Sequence, residues 1–333
     1  MSDDKIEHYD PPDKRKRPSI PLFPSKRTEF ERIAPVVDKF INSVVSLVST
    51  ENIQRWINLL TSYHNRHSRL QVIDEVAVIL QEEFRNLGYS DVYFHNYIHS
   101  DEGKDYRLKN VICNKAGKTS KVILICAHYD TIVYDKKGTD IIDARAPGAD
   151  DNASGVASIL EIARLLSKIY LNHTIQLVFF SGEEQGFWGS THYAQHIKDN
   201  DIELYRLINL DMIGFPAIPQ TVKIDIDISN EPFSCNEVPS NDKESQSFGR
   251  LMETMAYTYT PLQVRFDAVF ASDYCPFEAR GYIVTGAYDG SGTTQNPHYH
   301  STTDSPDLLD IDYIASVTKL VLATILKEAR EPS

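Results

Sequence analysis

The feature that most constrains the fold is an unbroken apolar run from Val122 to Ala127 that stops at the polar triplet His128-Tyr129-Asp130. A run of this kind, rich in β-branched residues, is typical of a central strand that is buried on both faces of a sheet. Open α/β sheets keep their chemistry at the carboxyl ends of such strands. The run therefore predicts an α/β fold with functional side chains where this strand ends.

Acidic residues also stand at the ends of two other predicted strands and at the start of a predicted helix. The strand predicted at 174–180 leads into Glu183 and Glu184, and the strand at 204–212 carries Asp211 near its far end. Asp150 and Asp151 stand together just before a helical pattern at 152–169. Carboxylates crowded in one place repel each other, and with the imidazole of His128 they form a ligand set typical of zinc. The spacing predicts a metal site at one edge of the sheet.

The remaining periodicity predicts a three-layer α/β/α domain with a central mixed, largely parallel sheet. Residues 1–27 carry five prolines and mixed charge, so we expect a disordered or extended tail. Residues 28–333 are expected to form a single domain whose N-terminal segment, up to Leu87, contains three helices. Asp310 is the predicted N-cap of the last helix.

Two local predictions concern strands. The segments 108–113 and 122–127 are separated by a short turn-rich connection, which favours a hairpin. The segment 222–228 alternates polar and apolar residues, which places Asp225 and Asp227 on a solvent-facing side.

Composition limits the possible partners and locations. The chain has 333 residues, of which 41% are hydrophobic, enough for a large core. A net charge of -13 disfavours nucleic acid and anionic membranes as partners. No apolar run approaches the roughly 18 residues of a membrane helix. We expect a cytoplasmic protein from the chain as given, with secretion as the alternative if a signal precedes it. The oligomeric state is left open.

The cysteines give little guidance. Four cysteines in a chain of this length form no disulfide framework, and their spacing matches no zinc motif. Cys113 and Cys126 are expected to be buried thiols within strands. Whether Cys235 and Cys275 pair is left open.

Five motifs occur in order along the chain: HYD, GADDNASG, SGEEQG, NLDMIG and YHSTTD. Together they resemble the co-catalytic zinc metallopeptidases of the M28 aminopeptidase family, over about residues 50–328. Each motif alone would be a weak signal, but the set in this order is specific.

The resemblance implies two zinc ions per chain. Asp150 would bridge the two ions, His128 and Asp211 would complete one site, and Glu184 and His300 would complete the other. The resemblance also implies a cis peptide bond directly after the bridging aspartate.

The resemblance and the chemistry of the site imply three catalytic roles. Glu183 would act as the general base toward a water held between the ions. Asp130 would accept the second ring N–H of His128, and Asp304 would do the same for His300. Tyr274 would donate its hydroxyl to the developing oxyanion, with a packed core tyrosine as the alternative.

The implied function is hydrolysis of peptide bonds, with release of N-terminal residues from a peptide substrate. One alternative is a glutaminyl cyclase-like acyltransferase of the same fold, whose members need one zinc and lack the GADDNASG form of the loop. A second is a carboxypeptidase, although the sequence does not gather Arg265 and Arg280 for a substrate carboxylate. A third is a non-catalytic binding module, which would have lost ligands. The loops 132–147, 229–246 and 286–299 are expected to set side-chain specificity.

Overall fold

The computed structural model describes residues 23–24, 36–228, 235, 237–291 and 295–330. The predicted tail, 1–27, therefore lies outside the described residues except for Phe23–Pro24. Those two residues form a short strand at the edge of the sheet.

The described residues contain one nine-stranded mixed sheet with the strand order β1-β8-β7-β9-β6-β4-β5-β3-β2. The strands are β1 Phe23–Pro24, β2 Val92–Asp101, β3 Lys104–Lys115, β4 Thr119–His128, β5 His173–Phe180, β6 Leu204–Leu210, β7 Thr221–Ile226, β8 Gln263–Ala268 and β9 Val284–Tyr288. The four central strands, from β9 through β6 and β4 to β5, are mutually parallel, and β7 and β8 form a further parallel pair. The predicted fold class is confirmed.

Helices cover both faces of this sheet. They are α1 Lys39–Val45, α2 Thr50–Thr61, α3 Val72–Asn86, α4 Gly155–Leu166, α5 Trp188–Asp199, α6 Asp242–Tyr259, α7 Cys275–Glu278 and α8 Ile311–Ala329. One core holds apolar side chains of α1 to α4, α6 and α8, and a second core on the opposite face holds those of α5 and α7. Within residues 36–91, which the structure describes, three helices precede β2, as predicted. The carboxylate of Asp310 accepts the N–H of Tyr313, which confirms the predicted N-cap of α8.

The predicted hairpin between β3 and β4 is wrong. The strand β5 lies between them, pairing antiparallel with β3 and parallel with β4. The partner of β3 in a hairpin is instead β2, through a tight turn at Glu102-Gly103. A short connection between two strands permits a hairpin, but a third strand from later in the chain can take the position between them.

The predicted exposure of Asp225 and Asp227 is also wrong. Both side chains are buried, and Tyr274 donates its hydroxyl to Asp225 at 2.8 Å. The strand β7 lies between β8 and β9, and its second face is covered by the segment that contains Tyr274. Alternation in sequence indicates two different faces, but it does not show that one of them meets water.

Two of the four cysteines are free and two are bonded to each other. Cys113 and Cys126 are buried free thiols in β3 and β4, as expected. Cys235 and Cys275 form a disulfide, which the sequence left open. Within the part of the chain that the structure describes, no helix combines the length and apolar character needed to cross a bilayer.

Candidate metal centre and active site

The candidate site lies where the parallel strands β5, β4 and β6 end side by side. His128 is the last residue of β4, Asp211 follows β6, and Glu183 and Glu184 follow β5. Because these strands run in the same direction as neighbours, their carboxyl ends meet at one edge of the sheet. His300 comes from the long loop after β9. The structure therefore brings together four of the five predicted ligands.

Asp151 stands at the centre of this cluster. Its Oδ1 lies 3.1 Å from Nε2 of His128, and its Oδ2 lies 3.1 Å from Nε2 of His300. Asp211 lies 3.4 Å from Nε2 of His128, and Glu184 lies 3.0 Å from Nε2 of His300. Each set of three offers ligand atoms that all lie within 4.8 Å of one another. The cluster thus consists of two ligand groups that share one carboxylate.

The prediction that Asp150 is the shared carboxylate is wrong by one residue. Asp150 points away from both histidines, and its two oxygens accept the N–H of Gly214 at 2.8 Å and the side-chain amide of Asn296 at 3.2 Å. Asp150 and Asp151 are adjacent, so their side chains leave the backbone in different directions. The cis peptide bond expected at Asp150-Asp151 likewise lies one residue later, at Asp151-Asn152.

Asp130 links the two ends of the site. Its Oδ1 lies 3.6 Å from Nδ1 of His128, on the side of the ring that faces away from Asp151. Its carboxylate also accepts the backbone N–H groups of Glu183 and Glu184, both at 3.2 Å. Nδ1 of His128 lies nearer to the backbone carbonyl of Asp130, at 3.3 Å. The carboxylate of Asp130 therefore lies beside the ring that the sequence analysis assigned to it, and its hydrogen bonds position the glutamate pair.

Glu183 borders the same space as the ligands. Its side chain is buried, and its Oε2 lies 3.9 Å from Nε2 of His128. A third group of potential ligand atoms joins His128, Glu183 and Glu184. The geometry therefore puts Glu183 within reach of a water in the cluster, and it also leaves Glu183 near enough to be a ligand.

Tyr274 does not reach this cluster, so the oxyanion role predicted for it is wrong. Its hydroxyl donates to Asp225 and accepts the N–H of Phe270 at 3.0 Å. Its ring is packed in the core between the sheet and α7. The aromatic side chains near the cluster are instead Tyr299, whose ring stacks 3.7 Å from that of His300, and Tyr134, at 5.3 Å from it.

Asp304 also differs from its predicted role. Its carboxylate accepts the backbone N–H groups of Asp150 (3.0 Å) and Asp151 (3.1 Å) rather than contacting the His300 ring. The contact holds the backbone of the loop that carries the shared carboxylate. Asp304 is thus a positioning residue for Asp151.

The electrostatics of the cluster are dominated by excess negative charge. Burial lowers the pKa of His128, but Glu183 and the other carboxylates more than offset this and hold that pKa well above its usual range. The pKa of His300 is raised to about 9, since Glu184 and Asp151 outweigh the effect of burial. Burial raises the pKa of Asp151, yet the two imidazoles hold it well below the ordinary value. The site therefore favours positive charge between these groups.

Two further contacts around the cluster were missed by the sequence reasoning. Arg66 is fully buried and donates to the carbonyl groups of Tyr129 (2.8 Å), Pro147 (2.6 Å) and Gly148 (3.0 Å), which joins the end of β4 to the loop before Asp151. No local sequence pattern predicts these hydrogen bonds of Arg66, because the partners are backbone carbonyls of residues distant in sequence.

The second missed contact is to Asp211. The hydroxyl of Ser272 donates to Asp211 at 2.6 Å and accepts the side-chain amide of Asn209 at 2.7 Å. The contact fixes one oxygen of Asp211 while the other faces His128.

The donor set of the cluster fits a divalent transition metal. Imidazole nitrogen and carboxylate oxygen are the ligands that zinc takes in catalytic sites. Each of the two groups supplies three protein ligands, which is the number typical of a catalytic zinc site that keeps a position for water.

Comparison with known proteins finds relatives that are named as peptidases. The most similar relatives include a probable leucine aminopeptidase 1 of Trichophyton verrucosum, 24% identical over 87% of this chain and 77% of the relative. They also include a probable zinc metalloprotease of Pyrenophora tritici-repentis, 26% identical over 93% of this chain and 73% of the relative.

Solved structures share the fold. An aminopeptidase of Legionella pneumophila superposes with a TM-score of 0.72 at 23% identity, over 90% of this chain and 77% of that one. A zinc aminopeptidase of Bacillus subtilis has a TM-score of 0.66 at 15% identity, over 85% and 96%. A glutaminyl cyclase of Fimbriiglobus ruber also has a TM-score of 0.66, at 18% identity over 84% and 95%. The family model of peptidase family M28 matches residues 110–325, and the chain belongs to that family.

Proposed function

We propose that this protein is an aminopeptidase that holds two zinc ions and releases residues from the N-terminus of peptides. The observation that carries the proposal is the shared carboxylate of Asp151, with one histidine on each of its two oxygens. In this assignment His128, Asp151 and Asp211 hold one ion, and Asp151, Glu184 and His300 hold the other. Bound zinc supplies Lewis acidity, which acidifies water and polarises the scissile carbonyl.

Three side chains around the cluster have separate roles in this proposal. Glu183 is the general base, because it is a buried carboxylate beside the cluster and lies outside the two groups that share Asp151. It takes a proton from the attacking water and delivers it to the leaving amine. Asp130 holds the backbone of Glu183 and Glu184, and Asp304 holds that of Asp151, so both fix the distances on which the reaction depends.

The cyclase alternative shares the fold, so the fold does not separate the two functions. The two-ion proposal separates them, because a cyclase of this kind needs one zinc. A carboxypeptidase would differ from the proposed aminopeptidase by cutting at the C-terminus of the peptide. A binding module would differ from it by showing no turnover.

The test is hydrolysis of leucyl p-nitroanilide and of a leucyl peptide with a free or an N-acetylated terminus. We expect turnover of the anilide and of the free peptide, no turnover of the acetylated one, loss of activity with a chelator and recovery with Zn²⁺. Equal cleavage of acetylated and free peptides, or release of residues from the C-terminus, would contradict the aminopeptidase assignment. A zinc content of one per fully active chain would contradict the paired site.

The disulfide Cys235–Cys275 favours the secreted alternative over a cytoplasmic location, because disulfides persist mainly in oxidising compartments. Thiol labelling of the protein in its native extract tests this. Labelling of Cys235 and Cys275 without prior reduction would exclude it.

A further inference from the structure

A small pocket lies at the same edge of the sheet as the metal centre. It is lined by Ala217, Ile218, Thr221, Lys223, Arg265, Asp289, Gly290 and Gln295. Its volume of about 20 Å³ has room for one small polar group rather than a side chain.

The loops that carry two of the metal-site residues also line this pocket. Ala217 and Ile218 belong to the loop that begins with Asp211, and Gly290 and Gln295 belong to the loop that leads to His300. Loops from the functional edge of the sheet therefore line the pocket.

The sheet topology places two cations in this position. The strand β9 runs parallel to β6, so its last residue, Tyr288, lies at the same edge as Asp211. Lys223 pairs with Tyr288, and Arg265 pairs with Lys223 in the neighbouring strand. Lys223 and Arg265 therefore stand side by side on one face, at the functional edge of the sheet.

Of these two cations, Lys223 is balanced by an acid. The ammonium group of Lys223 donates to Asp267 at 2.9 Å, and Gly290 packs against its aliphatic stem. Asp289 also lines the pocket, but its two oxygens accept the N–H groups of Phe215 and Ser291. Among the described residues, no carboxylate lies within ion-pair distance of Arg265, although the protein has a net charge of -13.

We propose that this pocket binds an oxyanion, and that its ligand is the C-terminal carboxylate of a short peptide substrate. The inference rests on the proposed aminopeptidase function. Guanidinium binds carboxylate through two parallel hydrogen bonds, which suits a terminal group that enters a small pocket.

The length of the preferred substrate follows from the strand spacing. Strands lie about 4.8 Å apart, so β7 and β8 stand roughly 10–15 Å from β6, whose carboxyl end leads into Asp211, the assigned ligand on the strand nearest to the pocket. An extended peptide advances about 3.3 Å per residue. The carboxylate that reaches Arg265 is therefore expected about three to four residues beyond the scissile bond.

The experiment compares leucyl peptides of two to six residues, each as a free acid and as a C-terminal amide, with leucyl p-nitroanilide as the substrate that lacks a carboxylate. We expect the free acid to exceed the amide about tenfold in kcat/KM at four to five residues, with no difference for dipeptides. Arg265→Gln should abolish this preference and leave turnover of the anilide unchanged, and Arg265→Lys should retain part of the preference. Arg85→Gln, which removes an exposed arginine on α3, is the matched control and should retain all of it.

Inorganic phosphate distinguishes the two possible ligands of the pocket, the C-terminal carboxylate of a peptide and a free anion. We expect phosphate to compete with the free acids and not with the anilide. Equal kcat/KM for acids and amides at every length would overturn the proposal, and so would a preference that survives Arg265→Gln. A change in anilide turnover that depends on phosphate and Arg265, with acids and amides cut alike, would show a site for free anions instead. Failure of the wild type to cut the anilide would overturn the aminopeptidase function itself.

Discussion

The carboxylate of Asp130 accepts the backbone N–H of Glu184 at 3.2 Å. Through this contact the polar triplet that ends β4 holds the glutamate pair that follows β5. Glu183 and Glu184 leave a fixed backbone in different directions, so two adjacent glutamates can have different tasks.

We predict that Glu183→Gln retains zinc and lowers kcat by roughly 10²- to 10⁴-fold, because the amide cannot accept a proton. Glu184→Gln should weaken zinc binding instead, since His300 and Asp151 then lose one carboxylate partner. Zinc content and kcat of both variants, measured in one buffer after circular dichroism confirms folding, decide the matter. Loss of zinc from the Glu183 variant would make it a ligand, as its place near His128 also permits.

The second prediction separates Asp151 from Asp150. Asp151→Asn should reduce zinc binding at both positions, because this side chain faces both histidines. Asp150→Asn should keep both ions, since its oxygens face Gly214 and Asn296. Metal stoichiometry by elemental analysis is the measurement. If Asp150→Asn loses zinc while Asp151→Asn retains it, the assignment from the sequence was right and ours is wrong.

The third prediction concerns Arg66. Arg66→Met should lower the free energy of unfolding by about 3 kcal/mol or more, because it leaves several buried carbonyls without a donor. Arg69→Met is the control, and a cost within about 1 kcal/mol is expected because its pairs with Asp101 and Asp140 lie nearer to solvent. Urea unfolding measures both. Similar losses in the two variants would show that the buried clamp has no special role.

The fourth prediction concerns stability in acid. His95 on β2 and His192 on α5 are half-buried, and burial together with neighbouring histidines lowers the pKa of each to about 4. In the unfolded chain both histidines take up protons near pH 6.5, whereas in the folded protein they stay neutral down to about pH 4. The free energy of unfolding is therefore undiminished by these histidines above pH 6.5. As the pH falls from 6.5 toward 4, we expect a loss on the order of 2 kcal/mol.

The measurement is urea unfolding between pH 7.5 and 4.5. His192→Gln should make the decline shallower, whereas His64→Gln, at an exposed position, should leave it unchanged. A decline of equal slope in the wild type and the His192 variant would place its origin elsewhere.

The sequence by itself determined the elements and the chemistry of the site. The apolar run before His128 predicted a buried central strand, and the acidic residues after β5 and β6 predicted a metal centre at one edge, because local periodicity and residue type report burial and ligand chemistry directly. The three N-terminal helices and the N-cap Asp310 follow from the same local signals.

The tertiary structure decided everything that depends on the direction of a side chain or on a partner distant in sequence. Only packing shows that Asp151 rather than Asp150 faces the histidines. The two residues are adjacent in one motif, and they differ in the direction in which the Cα–Cβ bond points. Only packing buries Tyr274 with Asp225 and inserts β5 between β3 and β4. The physical reason is that strand order and side-chain direction are set by long-range contacts, which leave no periodic signal in the chain.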